Sequence, residues 1–287
     1  MFQSLFRSLA HTVELMKTSW RVLMQDRELM VFPILSGIVV IVIAGIFAAL
    51  AFNLGTFDRL SAAREAGAQA SFTAADITLG TALAFSVTAV TVFFNAALIS
   101  AALERLDGGD PTVRSGLRVA SQSLPAVLVW AAISATIGLL LQAARGQSRG
   151  GAGAMLVRIG VAMVGGIWAY MTFFVVPVMV AERLGAVAAI KRSSALFRQT
   201  WGQQAGASFG FGLIYVGAAL VTAAVAVPLM MVYPLLGIIA GGAVFAVAFG
   251  AVAAMEGIFK AALFRFASGQ PSAAFDDATL RSAYRAL

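Results

Sequence analysis

Ser208 lies in the run Gly206-Ala-Ser-Phe-Gly210, which has the G-x-S-x-G spacing of a hydrolase nucleophile elbow. An elbow serine needs a strand–turn–helix setting, a histidine base and an acid to orient it. Here the surrounding residues are apolar and helix-like, and the single histidine, His11, stands far away in the N-terminal segment. The better reading takes Gly202, Gly206 and Gly210 together. Spaced by four, they line one helix face and let a neighbouring backbone approach closely. A second candidate is Glu256 with Lys260, four residues apart on one helix face and able to pair. Both sit at the end of a long apolar run, where an ionisable group is costly and often functional. Lys260 can also extend toward water, which makes a simple structural pair the plainer alternative to an ion or proton role. Asn95 precedes Arg105 in another apolar run much as Glu256 precedes Arg265, so the two can share a depth and an interior. The chain has no cysteine and no acidic or histidine cluster at metal-ligand spacing. No phosphate-cradling loop stands between a strand and a helix. Catalytic residues, metal ligands and cofactors are therefore expected to be none, and the chain is not expected to be an enzyme.

The elements that must hold these residues are membrane spans. Of 287 residues, 60% are hydrophobic and 11% charged. Soluble domains carry roughly 25% charged residues, so this chain cannot cover a water-facing surface. A spanning helix needs about 20 apolar residues. Runs of that length predict six transmembrane helices over about 29–52, 77–103, 119–144, 159–181, 204–230 and 235–262. The last two come from one charge-free stretch, 199–255, too long for a single crossing. It must turn at Val227-Pro-Leu-Met-Met-Val-Tyr-Pro234, where two prolines oppose helix continuation and Tyr233 suits an interface. The organisation expected is an N-terminal amphipathic helix over 1–28, a six-helix domain over 29–266 and a tail over 267–287. Residues 1–28 scatter charges among apolar positions, unlike a cleavable signal.

Six crossings put both termini on one side. That side collects Arg7, Lys17, Arg21, Arg27, Arg105, Arg114, Arg118, Arg183, Lys191, Arg192, Arg198, Lys260, Arg265, Arg281 and Arg285. The other side holds only Arg59, Arg64, Arg145, Arg149 and Arg158. Positive residues stay in the cytoplasm, so both termini are expected there. The first external loop has "LSAAREAGAQA", a candidate short helix, and the second, "RGQSRGGAG", reads as linker.

The cytoplasmic connections are amphipathic. Phe2, Leu5, Leu9, Val13, Met16, Trp20 and Leu23 recur at helical steps, with Arg7, Glu14, Lys17 and Arg21 opposite. Val113, Leu117, Ala120 and Leu124 do the same against Arg114 and Arg118, and Val187, Ile190, Phe197 and Trp201 against Lys191, Arg192 and Arg198. Such helices either cover the ends of the bundle or dock on anionic lipid. Two of these connections share a frame. Glu104-Arg-Leu and Glu182-Arg-Leu each run through seven residues to an Arg-Ser pair, Arg114-Ser115 and Arg192-Ser193. Arg-Ser recurs at Arg7 and Arg281. The pattern predicts a threefold unit, an amphipathic helix followed by a two-helix hairpin, with Arg7, Arg114, Arg192 and Arg281 as interfacial basic positions. The fold class is thus all-α: a polytopic membrane protein of six transmembrane helices as three hairpins, with interfacial amphipathic helices on the cytoplasmic side.

The stretches "FRSLAHTVELMKTSWRVLMQDRELMVFPILSG", "IKRSSALFRQTWGQ" and "ALFRFASGQPSAAFDDATLRSAYR" resemble an uncharacterised family of bacterial six-helix integral membrane proteins. That family is distantly similar to the membrane domain of some glycerophosphodiester phosphodiesterases. The resemblance implies architecture and a bacterial inner-membrane location, and brings no catalytic residues. The function expected is a scaffold or lipid-interacting bundle. The alternative is a channel or transporter for a small solute, ion or lipid, resting on Glu256 and Asn95. Expected partners are membrane lipids, anionic ones among them, and a second copy or another membrane protein, with no nucleic acid.

Overall fold

The computed structural model describes residues 17–68, 71–146 and 152–270. Their regular structure is helical throughout. A helix over 17–25 (α1) leads through a 3-10 turn, Arg27–Met30, into α2 (Val31–Asn53). Then come α3 (Thr56–Glu65), α4 (Ala74–Leu106), α5 (Val113–Gln122), α6 (Leu124–Gly146) and α7 (Ala152–Met171). The chain ends in α8 (Val175–Ala181), α9 (Ala186–Val232) and α10 (Pro234–Ala267). Six stretches are long and apolar enough to cross a membrane: Arg27–Asn53, Ala74–Leu106, Leu124–Arg145, Met155–Ala181, Ile214–Val232 and Pro234–Ala267. This fits a multi-pass membrane protein.

Prolines decide where several helices stop. The third span was expected from 119, but it starts at Leu124. Pro125 cannot donate to the Ser121 carbonyl and its ring crowds it, so α5 ends at Gln122 and Ser123 takes a non-helical φ/ψ of −92°, 4°. The fourth span was expected as one helix over 159–181. It is broken between Met171 and Val175, because Pro177 removes the donor that Phe173 O would need. Ser193 of α9 fills the gap: its hydroxyl donates to Met171 O at 2.7 Å and accepts from Phe174 N at 3.1 Å. The expected turn around 227–234 narrows to one residue. Tyr233, extended at φ −141°, caps both helices, and Pro234 opens α10 where its missing N–H costs nothing. Pro228 does not end α9, which continues to Val232.

Packing centres on α4, which touches α2, α5, α6, α8 and α10. Its last third is lined with small residues, and Ala96, Ala97, Ala101 and Ala102 are fully buried. The facing helices answer with glycine. A Cβ on Gly257 of α10 would stand 2.5 Å from Leu98 Cδ2. A Cβ on Gly116 of α5 would stand 2.7 Å from both the Ala97 carbonyl and Phe32 Cζ. Along the α9–α10 pair, Gly237 and Gly241 admit Met230 and Ala226 in the same way. Gly202, Gly206 and Gly210 fall on α9, in a stretch whose surroundings lie outside the described residues. The dense core gathers around the last third of α4, residues 251–264 of α10, α8 and the first turns of α9. The remaining lengths of α2, α7, α9 and α10 turn large apolar side chains outward, among them Ile41, Leu156, Met231 and Leu235.

Gly257→Ala forces Leu98 to move, and overpacking of this kind costs about 1–3 kcal/mol. The thermal midpoint in detergent is expected to fall, and Leu98→Ala added to Gly257→Ala to restore part of it. Gly116→Ala is expected to be worse with no such rescue, because the atoms it meets include a backbone carbonyl. A Gly116→Ala midpoint equal to wild type would contradict the packing.

Candidate functional site

Glu256 is held by two partners from different directions. Its Oε1 pairs with Lys260 Nζ at 2.7 Å, one turn along α10. Its Oε2 accepts from the Tyr215 hydroxyl of α9 at 3.0 Å. Lys260 Nζ in turn stands 5.5 Å from the centroid of the Phe173 ring, in the break between α7 and α8. The broken fourth span is therefore a working part of the site: it delivers Phe173 to the ammonium group. Each carboxylate oxygen keeps a lone pair, and the ammonium keeps N–H donors, beyond these contacts.

Two cavities meet at this pair. One, about 610 Å³, lies among α4, α6, α7, α8 and α10, walled by Trp130, Trp168, Tyr170 and Phe173. Trp130 and Trp168 stack with centroids 5.9 Å apart. The other, about 370 Å³, lies among α2, α4 and α10, with Val40, Phe94 and Leu98 in its wall. Asn95, Glu256 and Lys260 line both, so the three residues singled out in the sequence form a polar partition between them. The Asn95 amide has no hydrogen-bond partner among the described residues. Nor has the buried hydroxyl of Ser134, which faces the larger cavity. Tyr215 escaped the sequence reading. A tyrosine in an apolar span whose hydroxyl needs a partner was the available signal.

Depth follows from length. Residues 234–255 carry no charge and make about 33 Å of helix. A hydrocarbon layer is about 30 Å thick. A layer that began at Tyr233 would therefore end near Glu256. On α4, the distance from Asp76 to Asn95 is about 28 Å by the same rise, which puts Asn95 level with Glu256. Among the described residues, no group of three or more His, Cys, Asp or Glu side chains gathers to hold a metal ion.

Residues 79–274 match a family described as a family of unknown function, DUF6159. The match takes in nearly all of α4 and every later helix, and with them the small-residue hub and the polar partition. The chain belongs to the DUF6159 family. No curated protein and no solved structure matches it. The expected likeness to the membrane domain of glycerophosphodiester phosphodiesterases finds no support in these comparisons.

At the basic end of this DUF6159 protein most described carboxylates contact another part of the fold, while Asp110 stays almost fully exposed 4.0 Å from Arg105. Glu28 Oε2 accepts from Val113 N at 2.9 Å and so caps α5 from a distant part of the chain. Asp107, at the end of α4, pairs with Arg265 of α10. Asp26 faces Arg105 Nε at 3.7 Å. The two repeated frames close on themselves, in different ways. Glu104 Oε2 accepts from Ser115 Oγ at 2.8 Å, whereas Glu182 Oε1 accepts from Arg192 Nε at 3.0 Å. The frames are not equivalent exits. Ser115 sits in the first turn of α5, behind a four-residue capping motif with Thr112, while Ser193 is two turns into α9. The difference follows from Asp110-Pro-Thr112, which forces a loop, against the helix-forming Ala186-Val-Ala-Ala189. Arg192 is thus tied to Glu182 and is not a free interfacial cation. Arg114 is exposed and forms no ion pair among the described residues. Arg7 and Arg281 lie outside the described residues.

Burial holds the Asp26 carboxyl above the ordinary carboxylate range, with Arg105 opposing that shift and Asp110, Glu28 and Glu104 adding to it. A group whose folded-state pKa is raised withdraws stability as pH rises through that value. Asp26→Asn is therefore expected to raise the thermal midpoint at pH 7. The gain should shrink on acidification and vanish below pH 3.8, where the unfolded carboxyl is protonated too. A gain that grows on acidification would reverse the sign.

Proposed function

We propose that the chain is a non-enzymatic, lipid-interacting bundle of the bacterial inner membrane, with both termini cytoplasmic and its basic end against anionic headgroups. The observation that carries this is an imbalance at that end. Asp26, Glu28, Glu104, Asp107 and Glu182 are all engaged in internal contacts. Arg21, Arg27, Arg114, Arg118, Arg183 and Lys191 are exposed, and none forms an ion pair among the described residues. A surface that keeps six cations without ion pairs, and leaves only Asp110 among its described carboxylates largely free, suits a layer of phosphates. Arg183 also lines a cavity of about 370 Å³ with Gln122 and Ser123, deep enough to admit one anionic group. In this reading α1, α5 and the first turns of α9 are the interfacial helices of the three-hairpin scheme. The one-sidedness of α5 supports it: Gly116 and Ala120 are buried against the bundle while Arg114 and Arg118 face out. The outward apolar lengths of α2, α7, α9 and α10 fit lipid contact or a second copy of the chain.

Near an anionic surface each arginine or lysine contributes about 1 kcal/mol. Arg114→Gln, Arg118→Gln and Lys191→Gln combined should therefore sharply reduce the phosphatidylglycerol retained through detergent purification, measured by lipid mass spectrometry. Equal retention by wild type and the triple variant would remove the reading.

A second reading, a channel or transporter for a small solute, ion or lipid, is favoured by one observation: Asn95, Glu256 and Lys260 line cavities on both sides of the α4–α10 contact. It requires that the purified chain carry flux in liposomes and that Glu256→Gln abolish it. A wild-type protein with no flux for any ion or lipid tested would end it.

A further inference from the structure

We infer that the two cavities flanking Asn95, Glu256 and Lys260 form a selective site for one zwitterionic phospholipid, its ammonium-bearing phosphodiester headgroup in the larger cavity and an acyl chain in the smaller. This deepens the lipid-interacting reading and rests on it, but at a different place from the basic end and for a different headgroup charge. Four observations carry it. The first is charge. Glu256 and Lys260 neutralise one another at 2.7 Å, so the site presents both signs with no net charge. A ligand of one sign would meet the like charge of the pair as well as the opposite one. A ligand carrying both signs can extend it, taking the carboxylate's spare lone pairs for its ammonium and the lysine's spare donors for its phosphate.

The second is the wall of the larger cavity. Trp130, Trp168, Tyr170 and Phe173 face it, and aromatic faces attract an ammonium group. Lys260 already uses the Phe173 ring in this way, at 5.5 Å. The third is unmet hydrogen bonding. Asn95 offers an amide with no partner among the described residues, beside the ion pair and open to both cavities. Ser134 offers a buried hydroxyl, equally unpartnered, to the larger one. In an apolar span such groups require a polar ligand or water. The fourth is depth and continuity. Asn95 and Glu256 both fall where hydrocarbon gives way to headgroups. The smaller cavity continues from them between α2, α4 and α10 along Val40, Phe94 and Leu98, a wall suited to an acyl chain. That second, apolar compartment argues for a whole phospholipid over a free water-soluble headgroup.

The test uses the full chain, purified in neutral detergent and offered equal amounts of phosphatidylethanolamine and phosphatidylglycerol, with bound lipid read by native mass spectrometry. Wild type is expected to keep one phosphatidylethanolamine in preference to phosphatidylglycerol. Asn95→Leu should weaken that binding about tenfold, the loss of one hydrogen bond to a charged phosphate. Because Asn95 has no hydrogen-bond partner among the described residues, this variant breaks no hydrogen bond there, and an unchanged thermal midpoint without lipid will show that the fold is kept. Glu256→Gln should abolish the preference. If that variant does not fold, Asn95→Leu decides alone. The Arg114, Arg118 and Lys191 triple variant should leave the phosphatidylethanolamine preference intact while losing phosphatidylglycerol, so the two readings fail separately. The inference is overturned if wild type shows no preference, if Asn95→Leu binds as wild type does, or if soluble phosphoethanolamine alone raises the midpoint as much as the lipid.

Discussion

Everything in this fold leans on how closely other helices approach the last third of α4. In lipid, helices gain nothing from hiding apolar surface from one another, so association depends on contact at short range. Four buried alanines on α4 and a glycine on each of α5 and α10 supply it. Gly116 reaches the Ala97 carbonyl and Gly257 receives the Leu98 side chain, positions where any Cβ would collide. The cluster gathers α2, α5, α8 and α10 around α4 at one end of the bundle. It leaves the distal lengths of the spans to make few contacts of their own, and their large apolar side chains point outward.

That asymmetry explains where the polar partition sits. The dense end is closely packed, and the splayed lengths carry their polar groups apart from it, as in a cavity of about 700 Å³ lined by Thr81, Thr88 and Gln142. At the transition the helices begin to diverge, and there α4, α9, α10 and the broken fourth span converge Asn95, Tyr215, Glu256, Lys260 and Thr172. The break is essential to this. An unbroken α7–α8 helix would carry Phe173 and Thr172 in regular helical phase, and the Ser193 hydroxyl would have no freed backbone groups to serve. Pro177 opens the helix, Ser193 bonds the Met171 carbonyl and the Phe174 N–H at the break, and the aromatic ring beside Lys260 is the result.

The basic end follows a different logic. Its carboxylates tie one element to the next: Glu28 to the start of α5, Asp107 to α10, and Glu104 and Glu182 each across its own loop. These contacts are partly wet and individually modest. Their collective effect is to occupy the anions and leave the cations outside. Asp26 is the exception: burial taxes its charge more than Arg105 relieves it.

The sequence by itself determined the apolar character of the chain and the six helices able to span a membrane, because those depend on composition and run length alone. It also determined that Glu256 and Lys260 would pair, because their spacing on one helix settles it. Its reading dwelt on Pro228 and Pro234 and passed over Pro177 and Pro125, which break the fourth span and detach α5 from the third, since a proline's effect depends on whether its neighbours can satisfy the freed carbonyl. It pointed to Gly202, Gly206 and Gly210 by spacing, whereas the close approaches that the structure displays are at Gly116, Gly237, Gly241 and Gly257. Spacing shows that a glycine could admit a neighbour, and only the tertiary arrangement decides which neighbour arrives. For the same reason the repeated Glu-Arg-Leu frames were legible as a pattern while their different closures, through Ser115 in one and Arg192 in the other, were not. Tyr215 meets Glu256 across 41 residues of chain, and Asn95 shares two cavities with Glu256 and Lys260. Those meetings depend on helix rotation about α4, which no single helix encodes.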